Sequence, residues 1–159
     1  MPMPFPPLLA LLLLAATPPA TAPEHFFVGR TEGAGTVDML LAGSHQVRDH
    51  SRGRINRSGA LLLEQIVEEE GKAVRTRRWR LVRGGGGRIT GTISDARGPV
   101  AGEIRGNVLH LNYRIVEGGA SVEQWIILHP GGRTAANRMV FRKFGFKVAT
   151  MESTIRRID

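Results

Sequence analysis

Arg75, Arg77, Trp79 and Leu81 occupy alternate positions of one stretch, so an extended chain places them on a single face. An arginine beside aromatic and aliphatic surface is suited to holding the acidic end of an amphipathic molecule. If the face points inward, the guanidinium needs a carboxylate or phosphate, because an unpaired buried charge is costly. Asp95 shares strand parity with Ile89 and Ile93 and is the candidate internal partner. The same residues also fit an ion pair in a filled interior, or an outward row of solvated arginines.

Bond-making chemistry finds less support. The histidines are His25, His45, His50, His110 and His129, and none belongs to a paired metal-ligand motif such as H-E-x-x-H. His45 and His50 flank Asp49 in a polar segment that reads as solvated loop. Ser44 lacks the G-x-S-x-G setting of a hydrolase nucleophile. Gly84 to Gly87 lack the Lys-Ser/Thr ending of a phosphate loop. Asp95, Glu103 and His110 are the candidates for acid/base work in a barrel enzyme. We expect no enzyme, no metal and no cofactor. Cysteine is absent, which excludes disulfides, thiolate metal sites, a thiol nucleophile and a lipidated cysteine.

Charge narrows the partners. Lys plus Arg number 22 against 14 Asp plus Glu, a formal charge of +8, and the lysines are Lys72, Lys143 and Lys147. A basic surface favours nucleic acid, anionic lipid headgroups or small acids. Arg75, Arg77, Arg78, Arg80 and Arg83 surround Trp79, a combination that can stack on single-stranded nucleic acid. Few aromatics accompany it, and strand alternation sends half of these arginines to the solvated face, so nucleic acid is disfavoured. Peripheral contact with an anionic membrane remains among the expected partners.

Residues 1–22 read as a separate object. Leu8 to Ala16 is an unbroken apolar run, too short to cross a bilayer comfortably, and Ala20-Thr21-Ala22 resembles a signal-peptidase site. A periplasmic or secreted location follows from that reading; a disordered or interfacial N-terminal arm is the alternative. No later run is apolar enough to span a membrane.

Residues 23–159 form one expected domain. Phe26 to Val28 open it, and Gly29, Gly33 and Gly35 predict at best an irregular or bulged strand. Gly43 to Arg57 is polar, with a poor strand signal around Gln46 to His50. Leu61 to Val67 fits a helix or, preferably, a strand paired through Glu70-Gly71 with Val74 to Val82. Strands are then predicted over Ile89 to Asp95, Val100 to Gly106, Val108 to Ile115, Val122 to Leu128, Thr134 to Lys143 and Phe146 to Ile155. Gly98-Pro99, Gly118-Gly119, Pro130-Gly131-Gly132 and Gly145 supply turns. About eight to ten short strands spaced by glycine turns predict an all-β antiparallel sandwich or barrel. Glycines inside strands suit the bends that barrel closure needs.

These residues resemble the bacterial lipoprotein-like proteins with domain of unknown function 3833. The resemblance rests on Phe26-Phe27-Val28-Gly29-Arg30, Trp79-Arg80-Leu81, Gly91-Thr92-Ile93-Ser94-Asp95, Gly102 and Gly106-Asn107. It continues through Tyr113 and Trp125 to Asn137-Arg138-Met139 and Lys143-Phe144-Gly145-Phe146, the most specific block. It implies a lipocalin-like barrel in the cell envelope and no established activity. Two family features differ here: the lipid-attachment cysteine is missing, and the acidic pair before the second tryptophan reads Glu123-Gln124. The expected function is non-enzymatic binding of a lipid or other small apolar or amphipathic ligand. The alternative is a structural or protein-interaction module with a filled barrel. The expected ligand-site residues are Arg77, Trp79, Asp95, Asn107, Tyr113, Trp125, Asn137 and Lys143.

Overall fold

Alternating side chains and short turns produce ten antiparallel strands. They are β1 (Gly29–Met39), β2 (Gly43–Ile55), β3 (Leu61–Glu69), β4 (Arg75–Arg83) and β5 (Arg88–Ile93), followed by β6 (Val100–Arg105), β7 (Val108–Arg114), β8 (Ser121–Leu128), β9 (Thr134–Lys143) and β10 (Phe146–Arg157). The structure is a computed structural model and describes residues 22–159. The expected signal segment, residues 1–22, lies outside the described residues except for Ala22. Each strand pairs with its sequence neighbour, and β1 pairs with β10 over Thr31↔Arg157 to Met39↔Ala149, so the sheet closes into a barrel. Closure leaves no edge strand open to another chain.

An up-and-down meander sends alternate turns to opposite ends. The β2–β3, β4–β5, β6–β7 and β8–β9 turns lie at one end, which we call the floor. A short 3-10 helix, Pro23–Phe27, packs there against β2, β3, β7 and β8. Its Phe26 is fully buried and meets Phe27 edge to face at 5.2 Å. Each such burial stabilises the plug by about 1.5–3 kcal/mol. Arg83 Nη1 donates to the buried Glu24 Oε1 at 2.7 Å and ties the helix to β4. Ile89, Leu109, Leu111, Leu128 and Ala135 complete the dense packing at this end. At the other end, the mouth, stand the β1–β2, β3–β4, β5–β6, β7–β8 and β9–β10 turns. A second apolar cluster, Val37, Val47 and Val67 with Met151 against it, lines the wall there.

Two expectations change, and one open choice is decided. β1 is one continuous strand of 11 residues rather than an irregular one. β2 is a 13-residue strand where the signal was poor. Its alternation is intact, but several inward positions are polar or small, Asp49, Ser51 and Gly53, so no hydrophobic period shows. Between the two readings of Leu61 to Val67, the preferred one holds: Leu61–Glu69 is a strand, with Leu61, Leu63 and Val67 buried on the inner face.

Candidate functional site

The barrel encloses a cavity of about 630 Å³, running from Phe27, Leu61 and Leu109 near the floor to Lys72, Glu117 and Lys143 at the mouth. That size lies within the range of about 300–1,000 Å³ typical of small-molecule pockets. Among the described residues, β4 supplies its one deep cation. Arg77 is 8% exposed, and its Nε donates to Asp95 with both carboxylate oxygens at 3.0 Å. Its guanidinium carbon lies 4.9 Å from the Trp79 ring centroid and 5.8 Å from that of Tyr113. Burial works against the charge, but Tyr113 and Asp95 outweigh it and hold Arg77 above its ordinary value. Arginine carries five N–H donors, and Asp95 engages only Nε.

A belt of side-chain hydrogen bonds runs round the wall at this depth. Trp79 Nε1 donates to Gln65 Oε1 at 3.0 Å, and Gln65 Nε2 donates to Asp49 Oδ2 at 3.1 Å, linking β4, β3 and β2. Trp79 meets Tyr113 edge to face at 5.6 Å. From there Tyr113 Oη donates to Gln124 Oε1 at 2.9 Å, Gln124 Nε2 to Asn137 Oδ1 at 2.8 Å, and Asn137 Nδ2 to Ser153 Oγ at 3.1 Å. This half links β7, β8, β9 and β10. Burial pushes the Tyr113 phenol above its ordinary value and keeps it a donor. Burial also raises the Asp49 carboxyl above 3.8, against the opposing pull of Gln65, His50 and Arg77. Gly33 on β1 makes this possible: a Cβ there would collide with Asp49 Oδ1.

Chemically, the cavity has an apolar lower chamber, a polar belt with one arginine, and apolar walls above. Each amide of the belt is satisfied by its neighbours, so the belt is preorganised without a ligand. At the mouth, Glu69 accepts from His45 Nε2 at 2.7 Å, Lys72 Nζ at 2.9 Å and Arg75 Nη2 at 3.0 Å. Burial raises its carboxyl, but His45, Lys72 and Arg75 prevail and hold it below 4.5.

Six of the eight expected site residues line the cavity: Arg77, Trp79, Asp95, Tyr113, Asn137 and Lys143. Lys143 sits at the mouth, its Nζ over Gly118. The other two do not. Asn107 is in the β6–β7 turn at the floor end, where its Nδ2 donates to the Leu128 carbonyl at 2.8 Å and ties that turn to the end of β8. Trp125 faces outward and stacks on His110 at 5.1 Å. Strand parity decides this: on β8 the buried positions are Val122, Gln124, Ile126 and Leu128. His110 and Glu123 pair at 3.0 Å on that same outer face, and Glu103 pairs with the exposed Arg105. Of the acid/base candidates, Asp95 alone lines the cavity. Gln65, Asp49, Gln124, Glu69 and Ser153 also line the cavity and are not among the expected site residues. Their signal was parity: Gln65 alternates with Leu63 and Val67, and Gln124 with Val122 and Ile126.

A closed antiparallel meander around an internal, partly apolar cavity defines a lipocalin-like barrel. The chain belongs to the family described as "Protein of unknown function (DUF3833)", whose model matches residues 12–157. Among solved structures it is similar to the S-type phycobiliprotein lyase CPES from Guillardia theta, with a TM-score of 0.68 at 11% identity. The match covers 88% of this chain and 94% of that one. At that identity the likeness is one of fold. A search of curated proteins gives no match. No helix among the described residues is long and apolar enough to cross a membrane.

Proposed function

We propose that this protein holds a small amphipathic molecule with an acidic group, such as a fatty acid or a related lipid, inside the barrel. The supporting observation is the cavity with Arg77 at mid-depth, apolar surface above and below it, and guanidinium N–H groups beyond those turned to Asp95 and Tyr113. A filled structural module fits this interior less well. The protein acts as a holder or carrier rather than a catalyst: the Asp95 carboxylate is tied to Arg77, and His110 and Glu103 sit outside.

We further infer export to the periplasm or exterior, from Leu8 to Ala16 and Ala20-Thr21-Ala22. N-terminal sequencing of protein from fractionated host cells tests that, with a start near residue 23 in the envelope fraction expected.

Native mass spectrometry of protein purified from its host tests the ligand reading. We expect an added mass that leaves under gentle activation, and fluorescent fatty-acid uptake that a bulky Val67→Phe substitution in the cavity wall abolishes. A clean unliganded mass together with no uptake sinks the proposal.

A further inference from the structure

Six large apolar side chains among the described residues are more than half exposed: Leu40, Leu41, Val74, Val116, Phe144 and Phe146. All six belong to the mouth end. Leu40 and Leu41 form the β1–β2 turn, Val74 and Val116 lie in the β3–β4 and β7–β8 turns, and Phe144 and Phe146 make the β9–β10 hairpin tip. Among the described residues, none at the floor end is more than half exposed. Chance exposure of single apolar residues is ordinary; their confinement to one rim of a barrel is not.

The lysines share this end, whereas the arginines do not: Arg57, Arg83, Arg88, Arg105 and Arg133 stand at the floor end. All three lysines, Lys72, Lys143 and Lys147, stand at the mouth. Lys72 is drawn to Glu69, whereas Lys143 and Lys147 flank the Phe144-Gly145 turn. The β1–β2 and β9–β10 tips are adjacent, since β1 pairs with β10 and the Leu40 amide donates to the Val148 carbonyl at 3.0 Å. One lip of the mouth therefore presents Leu40, Leu41, Phe144 and Phe146 with Lys143 and Lys147 beside them.

Phe144 adds an independent observation. It has φ 50° and precedes Gly145 at φ 80°. Two positive φ values in a two-residue hairpin loop favour Asn-Gly or Gly-Gly, and a bulky aromatic there is uncommon. Phe144 is 98% exposed, so no packing against the described residues explains it. Local strain at such a position points to function rather than folding.

We propose that this lip docks on an anionic lipid bilayer. Leu40, Leu41, Phe144 and Phe146 enter the interface, and Lys143 and Lys147 meet headgroup phosphates. A bilayer suits the arrangement better than a protein partner, because the apolar groups stand on separate tips rather than in one flat patch. Lysines beside aromatic residues suit the boundary between headgroups and acyl chains. The net charge of +8 adds attraction to an anionic surface. The cavity opens at the same end, so a docked barrel faces its ligand supply. Docking extends the ligand-holding reading but does not need an occupied cavity.

Vesicle sedimentation with phosphatidylglycerol/phosphatidylethanolamine and with pure phosphatidylcholine tests the proposal. We expect anionic vesicles to be bound at least tenfold more tightly. The Leu41→Ser/Phe144→Asn variant should fold, since Asn suits positive φ, and should lose that binding at least tenfold. Arg52→Gln/Arg80→Gln, on the basic outer wall, should bind within twofold of the parent. In separate variants, Phe144→Trp emission should be quenched by brominated lipid, while Ser58→Trp at the floor end should add no quenching.

Undiminished binding by Leu41→Ser/Phe144→Asn overturns the proposal, as does loss through the arginine pair or quenching at position 58. Equal binding to neutral vesicles also overturns it. If the mouth variant instead abolishes self-association or a protein contact, the lip is a protein interface and the proposal fails. Fatty-acid uptake measured without vesicles is a separate readout. Its failure with docking intact sinks only the ligand reading, and the converse sinks only docking.

Discussion

Arg77 and Asp95 meet through Nε and both carboxylate oxygens at 3.0 Å, 18 residues apart in sequence, with the arginine buried and the acid partly open to solvent. The pair fixes the guanidinium against Trp79 and Tyr113 in the cavity wall. Asp95→Ala should strand the Arg77 charge and cost about 2 kcal/mol, less than a fully buried pair would, because water reaches the vacated site. Arg77→Met keeps similar volume but leaves Asp95 unpaired; because that carboxylate is partly in water, the cost in urea denaturation should be modest, about 1–2 kcal/mol. In fluorescence titration the same variant should bind a fatty acid no better than the matching fatty alcohol, whereas the parent prefers the acid.

Asp49 gives a prediction in pH. Burial raises its folded-state value above 3.8. The stability associated with its protonated form is fully present below 3.8 and is lost as pH rises through the folded value. Asp49→Asn keeps the hydrogen-bonding shape and drops the buried charge. Its melting temperature should exceed the parent's at pH 7, and the gap should close as pH falls toward 3. An unchanged gap across that window would show that Asp49 titrates normally.

Glu69 should behave in the opposite sense. His45, Lys72 and Arg75 outweigh burial and hold its carboxyl below 4.5, so its stabilisation is present above 4.5 and is lost as pH falls through the folded value. Glu69→Gln should melt below the parent at neutral pH, and the two curves should converge in acid. Thermal scans from pH 3 to 7 read this directly.

The two tryptophans make an internal pair of reporters. Trp79 lies in the cavity wall with its Nε1 bonded to Gln65, and Trp125 stacks on His110 outside. Fatty-acid binding should shift the emission of the Trp125→Phe variant as it does the parent. The Trp79→Phe variant should show no shift, even where uptake is demonstrated by a labelled ligand. A ligand response confined to Trp125 would place binding on the outer surface.

Strand parity explains both what was legible and what was not. From β4 to β9 the apolar alternation is strong, and the glycine turns that punctuate it appear where the sequence puts them. On β2 the inward face carries Asp49, Ser51 and Gly53, so the strand hid as a polar loop. Trp125 was misplaced as a cavity residue because an aromatic in a strand reads as interior, whereas its neighbours Gln124 and Ile126 take that face. Asn107, in its Gly106-Asn107 context, ties the β6–β7 turn to the end of β8 and does not reach the cavity.

The sequence by itself determined an antiparallel series of about eight to ten strands, the turn positions from β4 onward and the shared face of Arg77 and Trp79, because each depends on local backbone preference and a period of two. Tertiary structure decided which residues meet. Closure of β1 on β10 joins turns more than 100 residues apart into one lip, from Leu40 to Phe144. It also brings Trp79 to Tyr113 and aligns Tyr113, Gln124, Asn137 and Ser153 into one belt. The shear of a closed barrel sets those contacts, and the curvature of ten strands leaves space between the walls. Neither is a property of any single segment, which is why a cavity and its mouth could be found only in three dimensions.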